Sequence, residues 1–574
     1  MLGLCVAGNG VSADEVDSPV DAGELLREYE RLESLEEPPL PEIQQRPDRP
    51  PLRSGEGQTV EIREIIFSGA TELVDMREVR SLVAEAIGME LDFAGLEQLA
   101  FRVTDYLKAQ GWFLARAYLP QQDLTDGVLE IVILAGDLSD EQPVDVLPGQ
   151  AEFDRVVPEQ IRRMVLGALS AGEAVREEDV NRAVLLTSDL PGVSTQSRLR
   201  PGPETGTTTI EMIVDEGPLV SGQVRADNYG SDSTGTERVS ATARVNNLSG
   251  VGDRISLAST RNEGSDLYRA TWSLPVGVQG LRLDLGVTNL QYEVITDAGQ
   301  RFDIGGRTRT NTQTLSYPVV RSRTHNLNLS LSGRQQRMQD RADGEETANK
   351  RKNSVTLELD SSRLDNFAGG GRTTWRAGLV AGQLDLKNNA EAFSQDQQTY
   401  QTHGAFQKVT LSGSRLQQIT DQTTAYARFS GQYTDQNLDS SEQLSLGGLA
   451  GVRGYPGGEA GGDNAAILQL ELRHSWPFRL PGGISMNTRV FLDSGWVQLR
   501  EDPGDLLLDT ATERNTYTLH GTGMALTLAK PGMMRLNAVW GRSIGDNPGR
   551  SVDGTNADGT TDRNQFYLQA SARF

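Results

Sequence analysis

From Pro218 onward, apolar and polar residues alternate along the chain. Leu281, Leu283, Leu285 and Val287 interleave with Arg282, Asp284, Gly286 and Thr288. Leu327, Leu329 and Leu331 interleave with Asn326, Asn328, Ser330 and Ser332. The same period of two runs through Val355–Leu359, Ala427–Tyr433 and Leu468–Leu472, with clusters of Gly, Asn, Asp and Ser between segments. A period of two places one set of side chains on one face of a strand and the other set on the opposite face. A soluble sandwich would show this too. Roughly 350 residues of it, with charges on the polar face and no strand apolar on both faces, favour a transmembrane antiparallel β-barrel. At roughly 20 residues per strand and connection, about 16 strands are expected, around a polar interior wide enough for water or a plug. The last strand, Phe566–Phe574, puts Phe566, Leu568, Ala570, Ala572 and Phe574 on one face and is expected to close against the first.

Before Pro218 the period changes. Residues Ala22–Leu35 have helical spacing, with Leu25, Leu32 and Leu35 near one face. Pro38, Pro39, Pro41, Pro47, Pro50 and Pro51 then impose an extended linker. A helix on such a linker is either a mobile tail or an element that docks elsewhere, and composition does not choose between them. Val60–Phe67 reads as a strand, Arg77–Ile87 and Phe93–Gln110 as helices, and Trp112–Leu119 and Val128–Leu134 as strands. The next segment repeats this pattern. A single offset of 81 carries Gly111, Pro120 and Gly136 onto Gly192, Pro201 and Gly217, and Leu129–Ile133 onto Ile210–Val214. Such regularity predicts two tandem α+β modules, whose sheet edges could accept an added strand or whose bulk could serve as a spacer. The expected division is 1–13 as the remnant of a signal peptide, 14–56 as the helix and linker, 57–137 and 138–217 as the two modules, and 218–574 as the barrel.

Composition narrows the class. A formal net charge of −24 argues against nucleic acid as a partner. No run of about 18 apolar residues is present, so a helical membrane span is not expected. The only cysteine is Cys5, and the four histidines (His325, His403, His474 and His520) are widely scattered, so neither a disulfide nor a metal site is expected. Met1–Gly8 resembles the end of a signal peptide, with Val11-Ser12-Ala13 as a small-residue cleavage site. Leu4 before Cys5 does not fit a lipoprotein box. Neither a phosphate-cradling Gly-x-x-x-x-Gly-Lys nor a catalytic His-Glu-x-x-His or Gly-x-Ser-x-Gly is found, so no ATP site, cofactor or enzymatic activity is expected.

One stretch interrupts the alternation. Gly451-Val452-Arg453-Gly454-Tyr455-Pro456-Gly457-Gly458 places a permanent cation among glycines, a loop rather than a wall. Further on, Phe491-Leu492-Asp493-Ser494-Gly495 is a strand carrying a lone carboxylate.

Taken in order, the helix, proline linker, two modules, barrel, Val-Arg-Gly-Tyr loop, Phe-x-Asp-x-Gly strand and terminal phenylalanine resemble the outer-membrane transporters of two-partner secretion, the TpsB family that includes FhaC and ShlB. Asp189-Leu190-Pro191-Gly192-Val193 and Asp227-Asn228-Tyr229-Gly230 are similar to that family at the second module and the first barrel strand. The resemblance implies that the modules are periplasmic POTRA domains and that the barrel lies in the bacterial outer membrane. It implies that the helix plugs the lumen and that Arg453 tips a loop folded into the barrel to meet Asp493. Gly451 and Gly454 would permit the turn, and Tyr455 would pack the tip against the wall. Phe491 and Gly495 would shape the strand around Asp493. In a wet lumen such a pair would fix the loop more than it stabilised the fold. Phe574 would be the C-terminal signal read by the barrel assembly machinery. The implied partner is a large TpsA-like exoprotein, taken up unfolded by the POTRA modules and passed through a monomeric pore without ATP. The superfamily also contains insertases of the BamA and TamA type; two modules and a plug-like helix disfavour that alternative.

Overall fold

The computed structural model describes residues 21–33, 59–150, 152–204, 206–504, 508 and 510–574. The signal-like N-terminus and the proline linker lie outside them. Val220–Asp227 (β1), Arg238–Asn246 (β2), Arg254–Arg261 (β3), Ser265–Val276 (β4), Leu281–Glu293 (β5), Gly305–Arg321 (β6), His325–Ala342 (β7) and Glu345–Asp365 (β8) form one half of a closed antiparallel barrel. Gly371–Asp385 (β9), Gly404–Gln418 (β10), Thr423–Tyr433 (β11), Asn464–Leu480 (β12), Ile484–Gln498 (β13), Thr516–Lys530 (β14), Met534–Ile544 (β15) and Asn564–Arg573 (β16) complete it at 16 strands. The apolar members of the alternation face outward: Leu285, Val287, Leu329, Leu331, Leu357 and Leu470 are all exposed at the outer surface. In water that belt would be costly; against hydrocarbon it is the stabilising contact.

β16 closes the barrel on β1, with pairs from Gln223–Arg573 to Asp227–Gln569. Beyond the ladder, Gly222 and Phe574 exchange both backbone hydrogen bonds at 2.9 and 3.0 Å. A Cβ on Gly222 would stand 2.3 Å from Phe574 Cζ, so the terminal ring lies where only glycine leaves room. At the opposite end of the seam Asn228 imitates a strand residue. Its Nδ2 donates to the Phe566 carbonyl at 2.8 Å, and its Oδ1 accepts from the Leu568 amide at 2.7 Å.

The offset of 81 is visible as two copies of one sheet. In the first module Glu64–Gly69 runs parallel to Val128–Leu134, which pairs antiparallel with Arg116–Tyr118. In the second, Val144–Pro148 runs parallel to Thr207–Glu216, which pairs antiparallel with Val193–Pro201. Leu129, Ile131 and Ile133 map onto Ile210, Met212 and Val214, and all six are buried beneath their helices.

Local bounds differ from the periodicity where a side chain turns inward. The strand expected over Val60–Phe67 divides at Ile62, which is fully buried, and only Val60–Glu61 and Glu64–Gly69 are extended. The helix expected over Arg77–Ile87 is Met76–Val83 followed by a 3₁₀ turn at Ala84–Ala86. Of Trp112–Leu119 only Arg116–Tyr118 is strand, because Trp112 Nε1 donates to the Leu73 carbonyl at 3.0 Å and the chain turns there instead.

The second module is fastened to the foot of the barrel. Arg321, at the end of β6, grips Asp189 with two bonds of 2.6 and 2.8 Å. Arg155 donates to the Gly217 and Asn246 carbonyls at 2.8 and 3.1 Å. Since the module marks one mouth of the barrel, the turns after β2, β4, β6 and β8 lie on its side and the 434–463 loop enters from the other.

Candidate functional site: two occupants of the lumen

The lumen holds the N-terminal helix, described over Ala22–Glu33, and the loop between β11 and β12. Sequence spacing carried the helix to Leu35; Ser34 and Leu35 lie outside the described residues. Asp21 caps it, its Oδ1 accepting the Gly23 and Glu24 amides at 2.8 Å each. Leu25, Leu26 and Tyr29 form its apolar stripe and pack against Leu267, Leu290, Met338 and Leu384 on the wall. The Thr308 hydroxyl donates to the Ala22 carbonyl at 2.9 Å, and Arg334 forks onto Glu30 at 2.8 and 3.1 Å. Lys350 reaches Asp21 at 3.0 Å, and Arg269 pairs with Glu33. The helix also touches the loop: Arg27 and Arg31 donate to the Ser440 and Ser445 carbonyls at 3.0 and 2.6 Å.

A cavity of about 690 Å³ between helix and loop is lined by Glu24, Glu28, Tyr229, Gly448 and Gly457 among others. Most of the helix's charges are therefore only half-buried. Burial, with Asp21 and Glu28 nearby, still pushes the Glu24 carboxyl up to about 7, against partial relief from Arg27 and Lys350. Asp21 is the reverse case. Burial alone would raise it, yet the Lys350 ammonium, the Ser440 hydroxyl and the Glu24 amide hold it at about 2.

The loop is seated on the opposite wall. Arg453 donates Nε and Nη2 to the two oxygens of Asp493 at 2.8 and 2.6 Å, and its backbone amide adds a third bond at 3.0 Å. Its remaining Nη1 pairs with Glu471, a polar member of the Leu468–Leu472 alternation. Glu471 is shared with Arg473 at 2.7 Å. Phe491 does more than shape its strand: its ring lies 3.6 Å from the Arg453 guanidinium carbon. Arg453 is 3 % exposed and Asp493 1 %, so this pair is not in a wet lumen; loop, wall and the Phe491 ring exclude water from it. Val452 and Tyr455 are buried with Leu446, Val497, Tyr517 and Leu519. The Tyr567 hydroxyl of β16 donates to the Tyr455 carbonyl at 3.0 Å.

Glycine serves this contact differently from the turn expected of it. Neither Gly451 nor Gly454 has a positive φ; Gly448 and Gly458 supply the left-handed positions. A Cβ on Gly454 would lie 2.4 Å from the β15 backbone at Arg542, and one on Gly541 would lie 2.1 Å from the Arg453 carbonyl. At Gly454 and Gly541 loop and wall touch backbone to backbone, while Gly495 leaves room for the Leu446 and Val452 side chains, whose methyls would lie 3.0 Å from a Cβ there. Gly521 and Gly541 were missed from sequence, although glycine at alternate strand positions 521 and 523 was a readable sign of close approach.

Comparison with known proteins agrees with this architecture. The family model described as "Haemolysin secretion/activation protein ShlB/FhaC/HecB" matches residues 206–513, and "POTRA domain, ShlB-type" matches residues 60–136. The heme/hemopexin transporter protein HuxB of Haemophilus influenzae (strain 86-028NP) is 24% identical over 87% of this chain and 84% of its own. The outer membrane transporter CdiB of Escherichia coli O6:K15:H31 is 27% identical over 78% of this chain and 74% of its own. Among solved structures, CdiB from Escherichia coli superposes with a TM-score of 0.72 at 21% identity, covering 97% of this chain and 100% of that one. CdiB from Acinetobacter baumannii superposes with a TM-score of 0.63 at 16% identity, covering 96% and 97%. The chain belongs to the ShlB/FhaC/HecB family of haemolysin secretion/activation proteins, outer-membrane transporters of two-partner secretion whose POTRA modules lie in the periplasm.

Proposed function

We propose that this protein is a monomeric pore that recognises one large exoprotein through its POTRA modules and passes it unfolded to the cell surface without ATP. The observation that carries this reading is the lumen helix. It fills a closed barrel, yet it is a separate segment held by side chains, so it can leave without any barrel strand unpairing. The edge strands Arg116–Tyr118 and Val193–Pro201 offer unpaired backbone to an extended segment of the partner, which would bind by strand addition. Binding there, at the foot of the barrel, would present the partner to the lumen as the helix withdraws. Folding of the partner outside would make passage directional. In this reading Arg453, clamped by Asp493 and Glu471 over Phe491, holds the loop as a fixed lining, with Val452 seated beside Gly495, Gly454 on the β15 backbone and Tyr455 beside Tyr567. Phe574 is the mark by which the barrel assembly machinery takes up the chain.

Co-expression with a candidate exoprotein tests the proposal. Deleting either edge strand's module should leave the barrel in the outer membrane and abolish surface appearance of the partner. Undiminished export from a barrel lacking both modules would refute recognition by POTRA.

A further inference from the structure

The two halves of the lumen wall differ in charge below the helix and loop. On the strands around the seam, the inward positions toward the POTRA mouth carry arginine repeatedly. Arg225 shares the inward face of β1 with Asp227, which pairs with Arg238 at 2.8 Å; Arg238 in turn lies 5.1 Å from the ring of Tyr29 on the helix. Arg244 lies further down β2 on that same face, and Arg254 donates to Asn246 Oδ1 at 3.0 Å on the neighbouring strand. Arg489 sits two residues below Phe491 and donates to Asn537 at 3.1 Å. Arg535 follows Asn537 down β15, and Arg573 follows Tyr567, Gln569 and Ser571 down β16. Register brings three of these together: Arg535 and Arg225 flank Ser571 in one cross-strand row, and Arg573 is the next inward residue below it. Carboxylates on these inner faces are few. Asp284 is one, and Glu471 is already committed to Arg453 and Arg473. Across the lumen, β6, β7, β9 and β10 present hydroxyls, as in the Thr314–Ser332 and Thr374–Ser414 pairs at 2.9 and 2.8 Å; Glu358 on β8 is matched by Arg376 at 3.2 Å, and Asp360 on β8 and Arg372 on β9 face inward as one charge of each sign.

The present occupant of the lumen shows what such a wall accepts. The helix carries four glutamates and two arginines. Wall cations hold its acids: Arg334 on Glu30, Arg269 on Glu33 and Lys350 on Asp21. We infer that the arginine arc below the helix is a carboxylate-binding track, and that it receives an acidic stretch of the secreted polypeptide on its way through the pore. The arc continues toward the periplasm the chemistry that seats the helix. An incoming acidic segment meets a favourable field at the mouth and then competes for the cations that hold the plug. Arginine suits a moving chain, because its fork binds successive carboxylates and its charge does not depend on pH.

This inference rests on the secretion reading, so its test uses no exoprotein. The full chain with residues 22–33 replaced by an equal length of Gly-Ser is placed in planar bilayers under a roughly tenfold KCl gradient. The reversal potential should report anion preference. Polyglutamate added from the POTRA side should block at a concentration at least about tenfold below polylysine of equal length. In the Arg225→Glu/Arg535→Glu/Arg573→Glu variant, whose folding is checked by heat-modifiable migration, anion preference should collapse and the advantage of polyglutamate should vanish. Cation preference in the protein that keeps these arginines, block by polylysine at equal concentration, or an unchanged triple variant would each overturn the inference. The first two measurements need no arginine variant to fold. A negative result here leaves the secretion reading standing, whereas failed export by a channel blocked by polyglutamate counts against secretion alone.

Discussion

The two lumen occupants are fastened by the same chemistry under opposite conditions. The loop's arginine meets two carboxylates and an aromatic face with almost no water access. The helix's pairs are less deeply buried: Arg334 and Glu30 keep 28 and 32 % of their side-chain surface exposed, and Lys350 and Asp21 keep 15 and 19 %. A buried ion pair is costly to make and costlier to break, because removing one partner strands a desolvated charge. Partly exposed pairs are each worth less and are more strongly screened by salt. The loop's seat is therefore costly to break, whereas the helix is held by several weaker ties.

The strongest way to break this contrast is Arg453→Ala. It leaves Asp493 and Glu471 buried without their cation and should cost about 3–5 kcal/mol of loop seating. Export of the partner should fall severely while heat-modifiable barrel remains in the membrane. Normal export would end the view of the loop as a fixture. Arg453→Lys keeps the charge but loses the fork and the stacking geometry, and should fall between wild type and alanine in the same assay. Arg334→Ala should be milder, about 1 kcal/mol, and should appear as more frequent openings in planar bilayers rather than as loss of folding. A double-mutant cycle with Glu30→Ala would show coupling below that figure if the pair is solvent-screened.

Salt separates the two fastenings without mutation. Raising KCl from about 0.1 to about 1 M should increase channel openings by releasing the helix, while protease protection of the Val452–Tyr455 segment stays unchanged. The smallest effect is with pH. Glu24 is raised to about 7 in the docked helix, so docking is favoured while it is protonated and loses that contribution as pH rises through 7. Asp21, held at about 2, contributes above its ordinary value of 3.8 and loses its contribution only as pH falls toward 2. Openings should therefore increase between about pH 4.5 and about pH 7, level off above that, and Glu24→Gln should flatten the rise. A rise unchanged by Glu24→Gln would assign it to another group.

The periodicity made the barrel legible because one period of two served nearly every strand, and the tandem modules were legible because one offset carried both glycines and core strands. What remained hidden was mostly contact between distant backbones. Glu471 looked like any polar wall residue; only the curvature of the barrel brings it 18 positions back to Arg453. Gly451 and Gly454 were legible as glycines but not in their role, since a tight turn and a close approach leave the same letter in the sequence. Composition left the Ala22 helix equally able to trail or to dock; Leu25, Leu26 and Tyr29 gain meaning only beside Leu290 and Met338.

The grip of Arg321 on Asp189 has a mechanical consequence. Arg321 ends β6, the strand whose Thr308 holds the first turn of the helix, and β7 beside it carries Arg334 and Met338. These two long strands, hydrogen-bonded along their length, act as a stiff beam with the second POTRA module bolted to its foot and the plug resting on it higher up. Through Arg321, a displacement of the module is passed to the strands that hold the helix, while the wall that carries Asp493 lies across the lumen from them.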